Sequence, residues 1–442
     1  MTQSRPLTVS AAQTGLKGQV TVPGDKSISH RALMLAALAQ GTTKIYGLLE
    51  GEDVICTSKA VEALGAKLQR NKDFWLVEGC GVGHLKEPGD VLNMGNSGTA
   101  ARLLAGVLAT HPIVSMMTGD GSLRTRPMGR VSDPLSETGA KFVTRDGKRL
   151  PMTIIGTGDG KPLHYKLPVA SAQVKSAIML AGLNCTGQTC VEEPVATRDH
   201  TENMLRHFGL DVSVTESDNG GRFIRFEGPA SLKARDIIVP GDPSSAAFPV
   251  VAALLIPNSE VVIENIGLNL LRTGIFTTLL EMGASIEIKN ERIEGGEKVG
   301  DLHVKASTLH GVTVPAERAP SMIDEYPILS VACALAQGTS RLQGLAELRV
   351  KESDRLASTV ALLESNGATV SVENDDIIIQ GQTHLAGGGL VKTHMDHRLA
   401  MSGIILGLVA QKAVKIDDTA FIETSFPGFV TLMNNLGAGI KA

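Results

Sequence analysis

One pattern recurs six times along the 442-residue chain and constrains its fold more than any other feature: a helix-compatible stretch ends in glycine and hands over to alternating residues. The copies are "VEALGAKL" (Gly65), "LSETGAKFV" (Gly139), "LRHFGLDVSV" (Gly209), "LLEMGASIEI" (Gly283), "LLESNGATVSV" (Gly367) and "LMNNLGAGI" (Gly437), spaced 74, 70, 74, 84 and 70 residues apart. Glycine adopts the left-handed conformation that closes a helix, and the alternation after it, as in Ala284 to Ile288, predicts a half-buried strand. A second unit, an apolar small-residue helix followed by a turn and a strand, also occurs six times, from "ALMLAALAQGTTKIYGL" to "RLAMSGIILGLVAQKAVKIDD". Repeats this long exclude a short-repeat solenoid and predict supersecondary units that bury shared faces.

The residues Val-Pro-Gly-Asp stand before the first and the fourth apolar helix, at positions 22–25 and 239–242. This repetition marks two crossings between domains of three units each: residues 1–22 plus 243–442 in one domain, residues 23–242 in the other. The expected class is α/β, of the α+β type. The longest apolar runs, residues 246–256 and 399–410, are shorter than the about 18 residues of a membrane span, so no membrane partner is expected. The opening "MTQSRPLTVS" matches no export or import signal, which predicts a cytoplasmic protein. Five scattered cysteines without a C-x-x-C pair argue against a disulfide framework and a structural zinc site. A net charge of −4 with 3% aromatic residues offers nothing for nucleic acid, so an anion site must gather its positive charge locally.

That gathering is visible at the helix starts. In "PGDKSISHRALMLAALA" Lys26, Ser27 and Arg31 sit where a loop enters a buried helix, and the exposed N–H groups with the macrodipole favour an anion there. The stretch lacks G-x-x-x-x-G-K-[ST], which excludes a nucleotide P-loop. The second unit has "NMGNSGTAARLLAGVL", in which Gly98 permits close backbone approach to a ligand, and then "GDGSLRTRPMGR" with Arg124, Arg126 and Arg130. The third has "PVASAQVKSAIML", where Ser171, Gln173 and Lys175 precede or begin a helix. The fifth unit differs in sign: "APSMIDEYPILS" places Asp324 and Glu325 at a helix start, and "ELRVKESDRLASTVALL" packs Lys351, Glu352, Asp354 and Arg355 together. The bland reading of the second stretch is an exposed, salt-bridged helix start. "HMDHRLAMSG" adds His394, Asp396, His397 and Arg398 in a spacing that matches no metal motif. Cationic loops at equivalent places, with an acid group at another, suit a small, multiply anionic substrate and proton transfer.

"PGDKSISHRAL", "GNSGTAARLL", "RTRPMGR", "SAQVKSA", "PGDPSSAAFP", "APSMIDEYPI", "LRVKESDRL" and "DHRLAMS" together resemble the 5-enolpyruvylshikimate-3-phosphate (EPSP) synthase family. The resemblance implies two domains, each of three βαβαββ units around a pseudo-threefold axis, with the active site between them. The implied reaction moves the enolpyruvyl group of phosphoenolpyruvate onto the 5-hydroxyl of shikimate 3-phosphate by addition and elimination through a tetrahedral intermediate, without metal or organic cofactor. It would proceed in a monomer whose only partners are these two small molecules. By the same resemblance Asp324 takes the hydroxyl proton, and Glu352 and Lys26 are both proton donors in prospect. Lys26, Ser27, Arg31, Ser171, Gln173, Arg198, Asp324 and Lys351 correspond to shikimate 3-phosphate contacts. Lys26, the Gly98 backbone, Arg126, Gln173, Arg355 and Arg398 correspond to phosphoenolpyruvate contacts.

The chain departs from the commonest pattern at "FIETSFPGF", with Thr424 and Ser425 where many members carry a lysine, and this segment resembles the family's divergent second class. Glyphosate, the family's inhibitor, occupies the phosphoenolpyruvate site, and tolerant members of that class carry alanine at the place of Gly98. Two other readings compete. A UDP-N-acetylglucosamine enolpyruvyl transferase would carry a cysteine in the loop before its Arg-Pro and an Asn after the first lysine, whereas here the loop is "GDGSLRTRP" and Ser27 follows Lys26. A non-catalytic anion-binding protein would gain nothing from Asp324 and Glu352 beside its anions.

Overall fold

The computed structural model describes residues 4–217 and 220–441. The six helix-closing glycines, Gly65, Gly139, Gly209, Gly283, Gly367 and Gly437, all have positive φ, from 88° to 105°, a region that other residues rarely enter. The apolar helices lie at Lys26–Leu38, Gly98–Ala109, Ala172–Gly182, Pro243–Leu255, Tyr326–Ala334 and His397–Val409. Each is buried along nearly its whole length, so none shows the one-sided stripe of a surface helix. No helix among the described residues is long and apolar enough to cross a membrane. All five cysteines are free thiols.

The strands among the described residues form six sheets, one per repeat. In the second repeat the order is Leu92–Asn93, Val114–Thr118, Arg149–Ile155, Lys141–Arg145: a parallel first strand, then the strand after the buried helix, then a hairpin. The third and fifth repeats follow the same order. The first and fourth exchange their first strands. Lys17–Thr21 pairs in parallel with Glu260–Gly267 of the fourth repeat yet leads into the helix Lys26–Leu38 of the first. Conversely, Ile237–Ile238 pairs in parallel with Ala39–Tyr46 of the first repeat yet leads into the helix Pro243–Leu255 of the fourth. In the sixth repeat Leu7–Val9 takes the antiparallel place beside Val414–Ile416.

Two compact units result. One contains the chain up to Asp25, Pro240–Ile293 and everything from Lys298 on; the other contains Lys26–Val239 with Glu294–Glu297, the Gly295–Gly296 turn between the strands Ser285–Glu294 and Glu297–Lys305. The chain therefore changes unit immediately after the first Val-Pro-Gly-Asp stretch and within the second. Within the first unit these stretches pair with each other: Gly24 and Gly241 form an antiparallel bridge, the Asp25 N–H donates to the Pro240 carbonyl (2.7 Å), and the Asp242 N–H donates to that of Pro23 (2.9 Å). Arg272, 2% exposed, clamps both copies, with Nη2 2.8 Å from Asp242 and 3.3 Å from Asp25. Burial by itself would loosen the guanidinium's hold on its proton, but Asp242 and Asp25 reverse this and keep it above the ordinary arginine value. Asp242 also caps the helix Pro243–Leu255 by accepting from the Ser244 N–H.

In the other unit the helices Gly98–Ala109 and Ala172–Gly182 cross so closely at Gly106 that an added Cβ would lie 2.1 Å from the Ala177 carbonyl oxygen. At Gly209 the surroundings are open and only the φ of +91° opposes a side chain. Gly106→Ala should therefore lower unfolding stability by about 3 kcal/mol through overpacking, and Gly209→Ala by about 1 kcal/mol through backbone strain. Urea denaturation of both variants checks the order; an equal or reversed order would contradict the close crossing.

Candidate active site

Within the unit built on Lys26–Val239, the first helix starts at Lys26, which is partly exposed and ion-paired with the buried carboxylate of Asp53. Arg31, one turn later, is 3% exposed. Its guanidinium donates to the Ser27 carbonyl (2.9 Å), to Thr201 Oγ1 (2.8 Å) and to Ser176 Oγ (2.7 Å). Arg31 thus fixes the Ser27 backbone and joins the first helix to the third. His30 is fully buried between Thr57 Oγ1 (2.7 Å) and Ser97 Oγ (3.2 Å), a structural place.

At the second helix Ser97 accepts from the Ala100 N–H and caps the turn that Gly98 begins. Arg126 is oriented from behind: its Nη2 donates to Asn96 Oδ1 (2.7 Å), and Asn96 in turn donates to Asp120 (2.6 Å). Gln173 is oriented too, accepting from Arg102 (2.8 Å) and donating to Thr99 Oγ1 (3.0 Å). A Cβ on Gly98 would meet Arg102 Nη1 at 2.8 Å and Arg126 Nη1 at 3.3 Å. Gly98, Arg126 and Gln173 are therefore brought together, whereas Arg124 and Arg130 stay exposed. Arg102 had been hidden inside a stretch read as an apolar helix. The signal that could have found it is a lone cation one helical turn after Gly98 in "GTAARLLAGVL".

Ser171 caps the third helix by accepting from the Val174 N–H. Lys175 corrects the sequence reading that counted it among the cations offered at a helix start. Its side chain is fully buried, with Nζ 2.7 Å from Glu202 and 3.1 Å from Glu193. Arg198 lies half-buried in the loop that follows Glu193.

In the other unit Arg355 is 1% exposed. It reaches Asp396 Oδ2 (2.7 Å), Asp324 Oδ1 (3.0 Å) and Glu352 Oε2 (2.5 Å). This replaces the picture of an exposed, salt-bridged helix start. Burial would weaken the guanidinium's hold on its proton, yet Asp396, Glu352 and Asp324 together raise it above the ordinary arginine value. Asp396 also caps the sixth helix, accepting from the Arg398 N–H (3.0 Å), and accepts from Ser353 (3.1 Å). Arg398 donates to the Asp324 carbonyl (3.1 Å) and lies 3.4 Å from Glu325. Lys351 stands 3.9 Å from Asp324, whose side chain is 16% exposed. So Asp324, Lys351, Glu352, Arg355 and Arg398 form one cluster. Thr424 turns its hydroxyl back onto the Phe421 carbonyl (2.7 Å).

A family model described as EPSP synthase (3-phosphoshikimate 1-carboxyvinyltransferase) matches residues 11–433. A protein of Gluconobacter oxydans named 3-phosphoshikimate 1-carboxyvinyltransferase is 68% identical over 440 residues, covering 100% of both chains. One of the same name from Granulibacter bethesdensis is 64% identical and covers 98% of this chain and 97% of its own. A solved EPSP synthase structure from Acinetobacter baumannii superposes with a TM-score of 0.88 at 43% identity, covering 99% of each chain. Matched along its whole length in sequence and in structure, the chain belongs to the EPSP synthase family.

Proposed function

We propose that this protein transfers the enolpyruvyl group of phosphoenolpyruvate to the 5-hydroxyl of shikimate 3-phosphate, giving 5-enolpyruvylshikimate 3-phosphate and phosphate. The observation that carries this reading is the setting of Asp324, a partly exposed carboxylate with Arg355 at 3.0 Å and Lys351 at 3.9 Å. Such neighbours favour the ionised form, the form able to accept a proton from a hydroxyl. The same cations suit the phosphate and carboxylate groups of the substrates.

In this reading Lys26, Ser27, Ser171, Gln173, Arg198 and Lys351 hold shikimate 3-phosphate, and Arg31 acts on it through the Ser27 backbone. The Gly98 backbone, Arg126, Gln173, Arg355 and Arg398 hold phosphoenolpyruvate, with Lys26 touching both substrates. Asp324 takes the hydroxyl proton as oxygen attacks C2 of phosphoenolpyruvate, and Glu352 or Lys26 delivers a proton to the methylene carbon. Elimination then returns a proton from that carbon and expels phosphate. Glu352 is paired with Arg355; a substrate carboxylate taking its place on the guanidinium would free it to carry a proton. Thr424 and Ser425 support placing the chain in the family's divergent second class.

A coupled phosphate-release assay tests the reaction: turnover is expected with phosphoenolpyruvate and shikimate 3-phosphate, and turnover with UDP-N-acetylglucosamine instead would reassign the acceptor. Asp324→Ala should lower kcat by roughly 10²–10⁴-fold, the range for losing a general base; unchanged kcat would remove its role. Arg398→Ala should chiefly raise the KM for phosphoenolpyruvate and Glu352→Gln should chiefly lower kcat. At Gly98 the added methyl displaces the ends of two arginines rather than backbone. Gly98→Ala should therefore fold normally and raise the glyphosate inhibition constant by a larger factor than the KM for phosphoenolpyruvate, since a ligand longer than the substrate suffers more from the intrusion. Equal factors would sink the steric argument.

A further inference from the structure

Lys175 has three N–H donors and no route to solvent. All three meet oxygen: Glu202 Oε1 at 2.7 Å, Glu193 Oε2 at 3.1 Å and the Thr197 carbonyl at 3.1 Å. Glu193 closes the loop from the other side, accepting from the Thr197 hydroxyl (2.7 Å) and the Thr197 N–H (3.2 Å). The neighbouring helix residue, Ser176, bonds Thr201 Oγ1 (2.7 Å), which also accepts from Arg31 (2.8 Å). Two successive residues of the helix that begins after Ser171 therefore grip the segment on both sides of Arg198, at Thr197 and at Thr201–Glu202. Nothing in the proposed reaction uses this buried ammonium directly.

We infer that Lys175 is a positioning residue for shikimate 3-phosphate: through the Thr197 carbonyl it fixes Arg198 to the helix start that carries Ser171 and Gln173. The two glutamates are not equivalent in this device. Burial raises the Glu202 carboxyl above its usual range against the pull of Lys175, and it is Glu193 that binds the Thr197 loop as well as the lysine. The inference rests on the proposed function, because it assigns Arg198 to one of the two substrates.

Thr197→Val keeps the side chain's shape and removes only the hydroxyl that ties the loop to Glu193. It should raise the KM for shikimate 3-phosphate roughly tenfold, the effect of one hydrogen bond to a charged group, while the KM for phosphoenolpyruvate and kcat stay unchanged. Glu193→Gln should reproduce this split and Glu202→Gln should not. Thr197→Val combined with Arg198→Ala should be no worse than Arg198→Ala alone, since both act through one guanidinium. Lys175→Met should give a larger split if it folds; the milder variants decide the matter if it does not. A merely structural role predicts a lower unfolding midpoint with both Michaelis constants unmoved. That result, an equal rise in both constants, or full additivity with Arg198→Ala would overturn the inference. Wild-type protein that released no phosphate from the two substrates would instead overturn the proposed function.

Discussion

A positive charge taken out of water must find negative partners or give up its proton, and three such charges organise this molecule. Lys175 is held by Glu193 and Glu202, Arg272 by Asp25 and Asp242, and Arg355 by Asp324, Glu352 and Asp396. Desolvating an ion costs several kcal/mol, and only well-placed partners offset it. Each cluster therefore pins its segments in place, because removing one partner would strand a buried charge. The segments are distant in sequence: Asp25 stands 247 residues from Arg272, and Asp396 41 residues from Arg355. Each cluster also lies at a helix start, where the chain presents its polar groups.

The same place in the repeat thereby serves different ends. In the unit built on Lys26–Val239 the helix starts present an ammonium at Lys26, a bare backbone at Gly98 and a hydroxyl at Ser171, with Ser97 and Ser171 as caps. In the other unit carboxylates take over: Asp242 and Asp396 cap their helices while binding Arg272 and Arg355. The repeated fold supplies an anion-favouring terminus six times over, and the buried cations convert some of those termini into seats for carboxylates. Asp324 is held in the same way, its carboxylate paired with the Arg355 guanidinium at 3.0 Å.

The fold was legible because its signals are local. Gly65 and its five counterparts announce helix ends by a conformation that other residues avoid, and runs such as residues 246–256 announce full burial. The doubled Val-Pro-Gly-Asp predicted breaks after Val22 and after Asp242, whereas the compact units change after Asp25 and after Val239, and that the two copies are hydrogen-bonded to each other needed coordinates. The candidate site's residue types stand out in the sequence, whereas their exposures do not. Lys175 and Arg355 stand in polar contexts that read as helix starts facing water, yet each is buried against a carboxylate distant in sequence, Glu193 at 18 residues and Asp396 at 41. Arg102 showed the converse, a site cation concealed in an apolar run. Whether a charge faces water or a remote carboxylate is decided by tertiary structure, and neither periodicity nor spacing encodes it.

In the proposed reaction paired carboxylates and cations drive addition to the enol double bond and then elimination, rather than direct displacement at a carbon–oxygen bond. Protonation of the methylene carbon makes a methyl group in the intermediate, which on elimination loses one of its hydrogens back to a base. The decisive measurement is turnover of both substrates in deuterium oxide with mass spectrometry of the product. Addition–elimination predicts deuterium in the enolpyruvyl methylene. A product formed at full rate with none would instead require direct displacement.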